Sequence, residues 1–187
     1  MSRPVADPGW RPVVRLLPKM FVPFIGMRSM ATQPSALISL RMMWLYLSVA
    51  MVPVWAVAGL VIGDVEPIWS VGRASSVAAV TGLATLGVNR LLAARVDHGS
   101  VGAFAESFPR MTMAQFAVAG ASGLVGFVMT VLSASAAPYA IGFASAWGGL
   151  WLAAPAAGRL ADVQRIADSK GSSFDVVTAL VQNRLSR

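Results

Sequence analysis

The sequence contains no cysteine and a single histidine. The absence of cysteine excludes disulfide bonds, thiolate chemistry and cysteine metal sites, and it leaves the redox compartment undetermined. The histidine, His98, lies in a polar loop at residues 97–100, where a lone histidine is more often a solvated side chain than a metal ligand. We therefore predict no metal site and no cofactor.

Charged residues are scarce as well. They make up 12% of the 187 residues, whereas average soluble domains carry about 25%. A deficit of this size indicates long stretches that never meet water. The net charge is +7. Because the charges flank apolar stretches, we expect them to set orientation and to contact anionic lipid headgroups, and we expect no nucleic-acid partner.

Four apolar stretches stand out, at residues 42–63, 67–89, 111–132 and 138–158, and we refer to them as the first to fourth spans. A helix rises about 1.5 Å per residue, so each span covers roughly the 30 Å hydrocarbon core of a bilayer. The small residues before Pro138 predict a turn between the last two spans. The alternative, a buried hairpin of a soluble protein, lacks a soluble shell in so short a chain.

These stretches predict an all-α integral membrane protein with a four-transmembrane-helix bundle. We divide the chain into a basic cytoplasmic or interfacial N-terminal segment (1–40), a transmembrane domain (41–162) and a cytoplasmic tail with a short amphipathic helix (163–187).

The positive charges predict the orientation. Fourteen of the fifteen Lys and Arg residues lie before the first span, between the second and third spans, or after the fourth span. In a four-span topology these three regions share one side, which the positive-inside rule makes cytoplasmic. We therefore expect a multi-pass protein of the plasma membrane with both termini in the cytoplasm.

The N-terminal segment is basic at its front and apolar in its middle. Arg15 interrupts the apolar core that a secretory signal would need, and Pro18 and Pro23 are expected to break any helix. We predict a segment in the membrane interface, with a disordered tail as the alternative. The side chains expected in lipid are Trp10, Leu17, Phe21 and Phe24.

The C-terminal tail begins as a cytoplasmic extension of the fourth span at residues 159–169, which Gly171 is expected to end. Ser172 or Ser173 then caps a short helix, with Asp175 near its positive end. Its apolar stripe packs on the same chain, on the membrane surface or on a partner. The stripe consists of Phe174, Val177, Leu180, Val181 and Leu185.

The two halves of the chain resemble copies of one hairpin. Arg41–Met42 and Arg110–Met111 are 69 residues apart, as are Arg90–Leu91 and Arg159–Leu160. A duplication of this kind would be a parallel repeat, because both hairpins start and end on the same side.

Few residues in the spans carry chemistry. The first, third and fourth spans contain no Asp, Glu, Lys, Arg or His. The hydroxyls at depth have no base beside them and are expected to bond to helical carbonyls or neighbouring helices. Examples are Ser48, Ser76, Thr81 and Ser122. We therefore predict no catalytic residue and no enzyme.

Arg73 is the one charged residue inside a span. A charge within a membrane is a functional candidate by default. The simpler interpretation is that Arg73 reaches the outer headgroups or pairs with Glu66 or Asp64. The alternative is a residue that lines an anion path.

Small residues recur at four-residue spacing in three spans. Small side chains let helix backbones approach closely in lipid, so the candidate packing residues are Ala78, Gly82, Ala119, Gly123, Gly126, Ala144, Gly148 and Gly149. The first span is bulky instead, which favours a lipid-facing or partner-facing helix, and its Pro53 should kink it and free the carbonyl of Val49.

The third span at residues 117–128, AVAGASGLVGFV, resembles the second helix of rotary ATPase proteolipids, the ring-forming c-type subunits. The resemblance implies ring-like or bundled packing. Where that family places its ion-carrying carboxylate, this chain has Gly120, and the helix ends point the opposite way. Ion translocation is therefore not implied.

We expect a non-enzymatic accessory or scaffold subunit of a membrane assembly, associating with itself or with another membrane protein. The alternative is an oligomeric channel or transporter subunit. Arginine outnumbers lysine 13 to 2, a bias typical of GC-rich genomes, which favours a bacterial inner membrane protein.

Overall fold

The computed structural model describes residues 5–20, 35–62 and 66–182, and within them every regular element is a helix. The helices, in chain order, are α1 (Arg11–Met20), α2 (Ala36–Ile62), α3 (Val71–Ala94), α4 (Val101–Ser133), α5 (Ala137–Ala153), α6 (Ala157–Ser169) and α7 (Val176–Gln182). The prediction of an all-helical chain is thus confirmed for the described residues.

Three of these helices, α2, α3 and α4, are long and apolar enough to cross a membrane. A fourth crossing requires α5 and α6 to act as one span, and these two helices meet at an angle of 53°. On its own α5 has 17 residues, about 25 Å of rise, which falls short of a 30 Å core.

The break between α5 and α6 falls inside the predicted fourth span and is explained by Pro155. Proline has no N–H to donate, and its ring disfavours the helical conformation of the residue before it, here Ala154. Helix α5 therefore ends at Ala153 and α6 begins at Ala157.

The other helix ends follow local capping rather than hydropathy. Helix α3 begins at Val71, not at Pro67, because the Ser70 side chain accepts the Arg73 N–H at 3.4 Å and caps the helix. Helix α4 begins at Val101, well before the predicted span, and Ser100 caps it by accepting the Ala103 N–H at 3.2 Å. Hydropathy detects the apolar part of a helix but not its polar turns.

The predicted turn before Pro138 is present between α4 and α5. Ala134 adopts a left-handed conformation with φ 47°, and Thr130 accepts the Tyr139 N–H on its side-chain oxygen at 2.9 Å. The loop before α3 reaches the same end of α4, since Ile68 and Trp69 both donate their N–H groups to the Leu132 carbonyl.

The contacts divide the chain into two compact units. The span unit comprises Leu47–Ala94 and Ala114–Ala153, and the terminal unit comprises Met1–Tyr46, Arg95–Met113 and Ala154–Arg187. The described core of the terminal unit is aromatic and aliphatic, with buried side chains at Phe104, Phe108, Leu160 and Leu180. That of the span unit is built largely from small residues.

The expectation that Pro18 breaks any helix was wrong. Helix α1 runs from Arg11 to Met20 through Pro18. The missing proline N–H removes one bond, to Val14, near the end of a short helix, and the face of α1 that carries Val13 is buried against Met42. Pro23, Phe21 and Phe24 lie outside the described residues, as does the side chain of Leu17.

The C-terminal tail contains the short helix α7, whose cap differs from the predicted one. Gly171, with φ 77°, follows the end of α6. The cap of α7 is Asp175 rather than Ser172 or Ser173, because its carboxylate accepts the Thr178 N–H at 2.6 Å. The buried side of α7 consists of Val176, Ala179 and Leu180. Of the predicted stripe only Leu180 is buried, whereas Phe174, Val177 and Val181 are half-buried. Leu185 lies outside the described residues.

Candidate functional site

A backbone-to-backbone contact in the span unit joins α4 and α5 at two glycines. A Cβ added to Gly126 would lie 2.9 Å from the Gly142 Cα, and one added to Gly142 would lie 2.7 Å from the Gly126 Cα. The Ser122 hydroxyl donates to the Gly142 carbonyl at 3.3 Å across the same contact. No side chain larger than hydrogen fits at either position without moving a backbone.

A second close approach joins α3 and α5. Gly82 faces Ser145, whose side chain a Cβ at position 82 would overlap. Ala78 is buried one turn away, at 1% exposure. The α3 face turned inward consists of small or polar residues, namely Ala74, Ala78, Gly82, Thr85 and Asn89.

A third approach brings Gly149 of α5 against α4 and α3. A Cβ there would lie 3.0 Å from the Ala119 Cβ and 2.7 Å from the Asn89 amide nitrogen. Gly82, Gly126 and Gly149 therefore lie at close contacts, and Ala119 is fully buried.

The remaining predicted packing residues lie in looser surroundings. A Cβ at Gly123 would make ordinary contacts with Ala146 and Met51, and one at Gly148 would contact only Leu86. Ala144 is exposed. Gly142 was not among the predicted residues, although its four-residue spacing from Ala146 follows the same small-residue pattern.

Two amide side chains lie within the span unit. Gln115 donates to the backbone carbonyl of Asn89 at 2.7 Å, which links α4 to α3. The Asn89 side chain is 1% exposed, and neither of its amide atoms has a hydrogen-bond partner among the described residues. Asn89 therefore retains unused donors and an acceptor inside the helical unit.

Arg73 lies in the first turn of α3 and is exposed. Its Cζ atom is 4.6 Å from the centre of the Trp69 ring, a cation–π distance. The salt bridges found among the described residues do not include one between Arg73 and Glu66, and Asp64 lies outside those residues. Because α3 begins later than predicted, Arg73 lies close to the helix end rather than deep within it.

A buried arginine organises the terminal unit. Arg41 is 1% exposed, and its guanidinium donates to both Asp7 carboxylate oxygens, at 2.6 and 2.8 Å. It also donates to the carbonyls of Gly9, at 2.9 Å, and Pro155, at 3.0 Å. The Trp10 ring centre lies 5.3 Å from its Cζ atom. The hydrogen bonds that Asp7 accepts from the Arg41 guanidinium and from the Gly9 N–H, together with the positive charge of Arg41, hold the pKa of Asp7 below its ordinary value of 3.8.

This role of Arg41 is not visible in the sequence, where Arg41 is one of several positive charges next to the apolar spans. Asp7 and Pro155, which bind Arg41, are 34 and 114 residues away in the chain, so no local sequence pattern predicts these contacts. The only available signal was an arginine directly before a long apolar stretch.

His98 is buried rather than solvated, at 5% exposure. Its ring lies 6.0 Å from that of Phe104, and its carbonyl accepts a hydrogen bond from the Ser172 hydroxyl. Burial lowers the pKa of His98 below 6.5, and the positive charge of Lys170 lowers it further. Neither ring nitrogen has a hydrogen-bond partner in the described part of the chain. The expectation of a solvated loop histidine was wrong.

The described residues contain no group of three or more His, Asp or Glu side chains arranged to hold a metal ion. Comparisons of the chain with models of protein families, with curated proteins and with solved structures give no match.

Proposed function

We propose that this chain is an integral membrane protein with four transmembrane helices and cytoplasmic termini, acting as a non-enzymatic accessory or scaffold subunit of a larger membrane assembly. In this topology the fourth crossing is the span at residues 138–158, which comprises most of α5 and the start of α6, and the rest of α6 is cytoplasmic. Fourteen of the fifteen basic residues then lie on the cytoplasmic side, where they contact anionic headgroups.

The observation that carries the proposal is the inverted pattern of α3. Its inward face is small and polar, whereas its outward face exposes large apolar side chains such as Val80, Leu83 and Leu91, at 65 to 71% exposure. In water this exposure would be costly, at about 25 cal/mol per Å² of apolar surface. Small residues inside and large apolar residues outside are what helices in lipid favour.

The outward face of α3 also offers a contact surface for a transmembrane helix of a partner subunit. Gly87 lies in the middle of this face, between Leu83 and Leu91, and a Cβ added there would meet nothing within 4 Å. A glycine in an uncovered apolar face lets the backbone of a second transmembrane helix approach closely. We therefore assign the α3 face around Gly87 to the partner subunit.

The test is native mass spectrometry after mild detergent extraction from the source membrane, with wild type, Gly87→Leu and Gly120→Leu compared. Gly120 is the matched control, since it too has nothing within 4 Å of an added Cβ but lies on α4. We expect a second membrane protein at fixed stoichiometry with wild type and Gly120→Leu, and its loss with Gly87→Leu. A bound partner that survives Gly87→Leu, or no partner at all, would contradict the assignment.

The alternative, an oligomeric channel or transporter subunit, is favoured by Asn89, whose buried amide has no partner among the described residues. Polar side chains inside a membrane protein often mark a pathway. A homo-oligomer without other proteins in the same experiment would support this alternative, provided that Asn89→Leu abolishes a measured flux and leaves the oligomer intact.

A further inference from the structure

The span unit contains an apolar crevice of about 230 Å³ between α2, α4 and the start of α5. The residues that line it are Leu47, Ala50, Met51, Val54, Gly120, Gly123, Leu124, Phe127 and Tyr139. All nine belong to the span unit, so in the proposed topology the crevice is reached from within the membrane.

The lining of the crevice favours a hydrocarbon ligand over a polar one. Its one side-chain hydroxyl, on Tyr139, already donates to the Met51 carbonyl at 3.1 Å. The other side chains are apolar. Apolar cavities of about 150 Å³ remain dry and bind molecules such as benzene, so a crevice of this size and character selects an apolar ligand.

The crevice is deep because two of its lining residues, Gly120 and Gly123, are glycines. A Cβ at Gly120 would meet nothing within 4 Å, and one at Gly123 would make only ordinary contacts with Ala146 and Met51. The floor is aromatic, with the Phe127 and Tyr139 rings 6.2 Å apart and nearly perpendicular. A larger residue at position 120 would therefore fill the crevice without displacing a neighbour.

The size of the crevice decides its occupant. A stable contact with a second copy of the chain needs upwards of about 1,000 Å² of buried surface, far more than nine lining residues around one crevice supply. Leu124 and Val54 at its edge are 65% and 38% exposed, and such bulky side chains keep a second helix backbone at a distance. A single hydrocarbon chain is thin enough to pass between them.

We propose that this crevice binds one acyl chain of a membrane lipid. The inference rests on the proposed membrane insertion of the span unit but not on the scaffold role. A bound chain would cover the open side of Gly120 and pack on the rings of Phe127 and Tyr139.

The experiment uses the full chain in phosphatidylcholine vesicles that contain a small fraction of phosphatidylcholine with a photoactivatable diazirine in its acyl chain. After irradiation, labelled peptides are mapped by mass spectrometry. We expect labelling of the crevice to exceed labelling of the exposed α3 face around Leu83 several-fold. Gly120→Leu should remove this excess, whereas the matched variant Gly87→Leu should retain it.

Four outcomes would overturn the inference. Equal labelling of the crevice and the α3 face, or an excess that survives Gly120→Leu, would show that no chain is held there. A homodimer in native mass spectrometry that Gly120→Leu dissociates would identify a second copy as the occupant. Absence of label from every span would contradict membrane insertion itself, which separates that failure from failure of the crevice.

Discussion

At the scale of single residues, Arg41 connects parts of the terminal unit that are far apart in sequence. Its guanidinium binds Asp7 and Gly9 before α1 and the carbonyl of Pro155 between α5 and α6. Because every one of these contacts is a hydrogen bond to an oxygen, the buried charge is well compensated. The unit therefore depends on this side chain more than on any exposed ion pair.

We expect Arg41→Met to destabilise the protein by about 3 kcal/mol or more, since removing one partner of a buried pair leaves the other uncompensated. The matched control is Glu106→Gln, which breaks the Glu106–Arg110 salt bridge, where both side chains are more than 60% exposed. Such a pair contributes between 0 and about 1 kcal/mol. Thermal unfolding in one detergent measures both variants, and equal losses would refute the role given to Arg41.

His98 gives the terminal unit a predicted sensitivity to acid. Its pKa is lowered in the folded protein, so below pH 6.5 the unfolded state binds the proton more readily, and stability falls as the pH decreases. Because this is the only histidine in the chain, few other side chains titrate between pH 7 and 5.5.

The measurement is the unfolding temperature between pH 7 and 5.5. We expect a decrease for wild type and a flatter profile for His98→Phe, which keeps a ring beside Phe104 but carries no titratable nitrogen. Superimposable profiles would mean that His98 does not contribute. Asp7 acts at lower pH with the same sign, since its stabilising contribution is present above about 3.8 and is lost as the pH decreases below that value.

At the scale of helices, glycines that look equivalent in sequence have different surroundings. Gly126 and Gly142 face each other backbone to backbone, whereas Gly87 and Gly120 face open space. We expect Gly126→Ala and Gly142→Ala each to cost about 1–3 kcal/mol, as overpacking typically does. Gly87→Ala and Gly120→Ala should cost nothing, since alanine also favours the helix.

The comparison is again thermal unfolding, with gel filtration to check particle size. Loss of stability at constant size would place the Gly126–Gly142 contact within one protomer. Tolerance of alanine at both positions would show that α4 and α5 are not in backbone contact there.

These helices also show which features of the fold can be predicted from the sequence. Hydropathy located α2, α3 and α4, because an apolar stretch of this length is a property of composition alone. It did not locate their ends, which depend on caps such as Ser70 and Ser100. It identified small residues such as Gly82 and Gly126 but not Gly142 or the exposure of Ala144, because contact depends on how each helix is rotated about its axis.

At the scale of the whole molecule, α5 and α6 decide whether the chain crosses the membrane three or four times. Helix α5 is short for a span, and Pro155 separates it from α6. The positions of Arg159, Arg165 and Lys170 argue against a three-span arrangement. If α5 did not cross, these positive charges would lie on the outer side, contrary to the positive-inside rule.

Because the chain has no native cysteine, the number of membrane crossings can be measured with single-cysteine variants at exposed positions and a membrane-impermeant thiol reagent. We expect the reagent to label Glu66→Cys and Ala136→Cys in intact cells, and Glu106→Cys and Lys170→Cys only after permeabilisation. The first three positions respond identically in the three-span and four-span arrangements, so they serve as controls for α2, α3 and α4. Lys170→Cys alone separates the two, since labelling in intact cells would place the tail outside and restrict α5 to a helix that enters the membrane without crossing it.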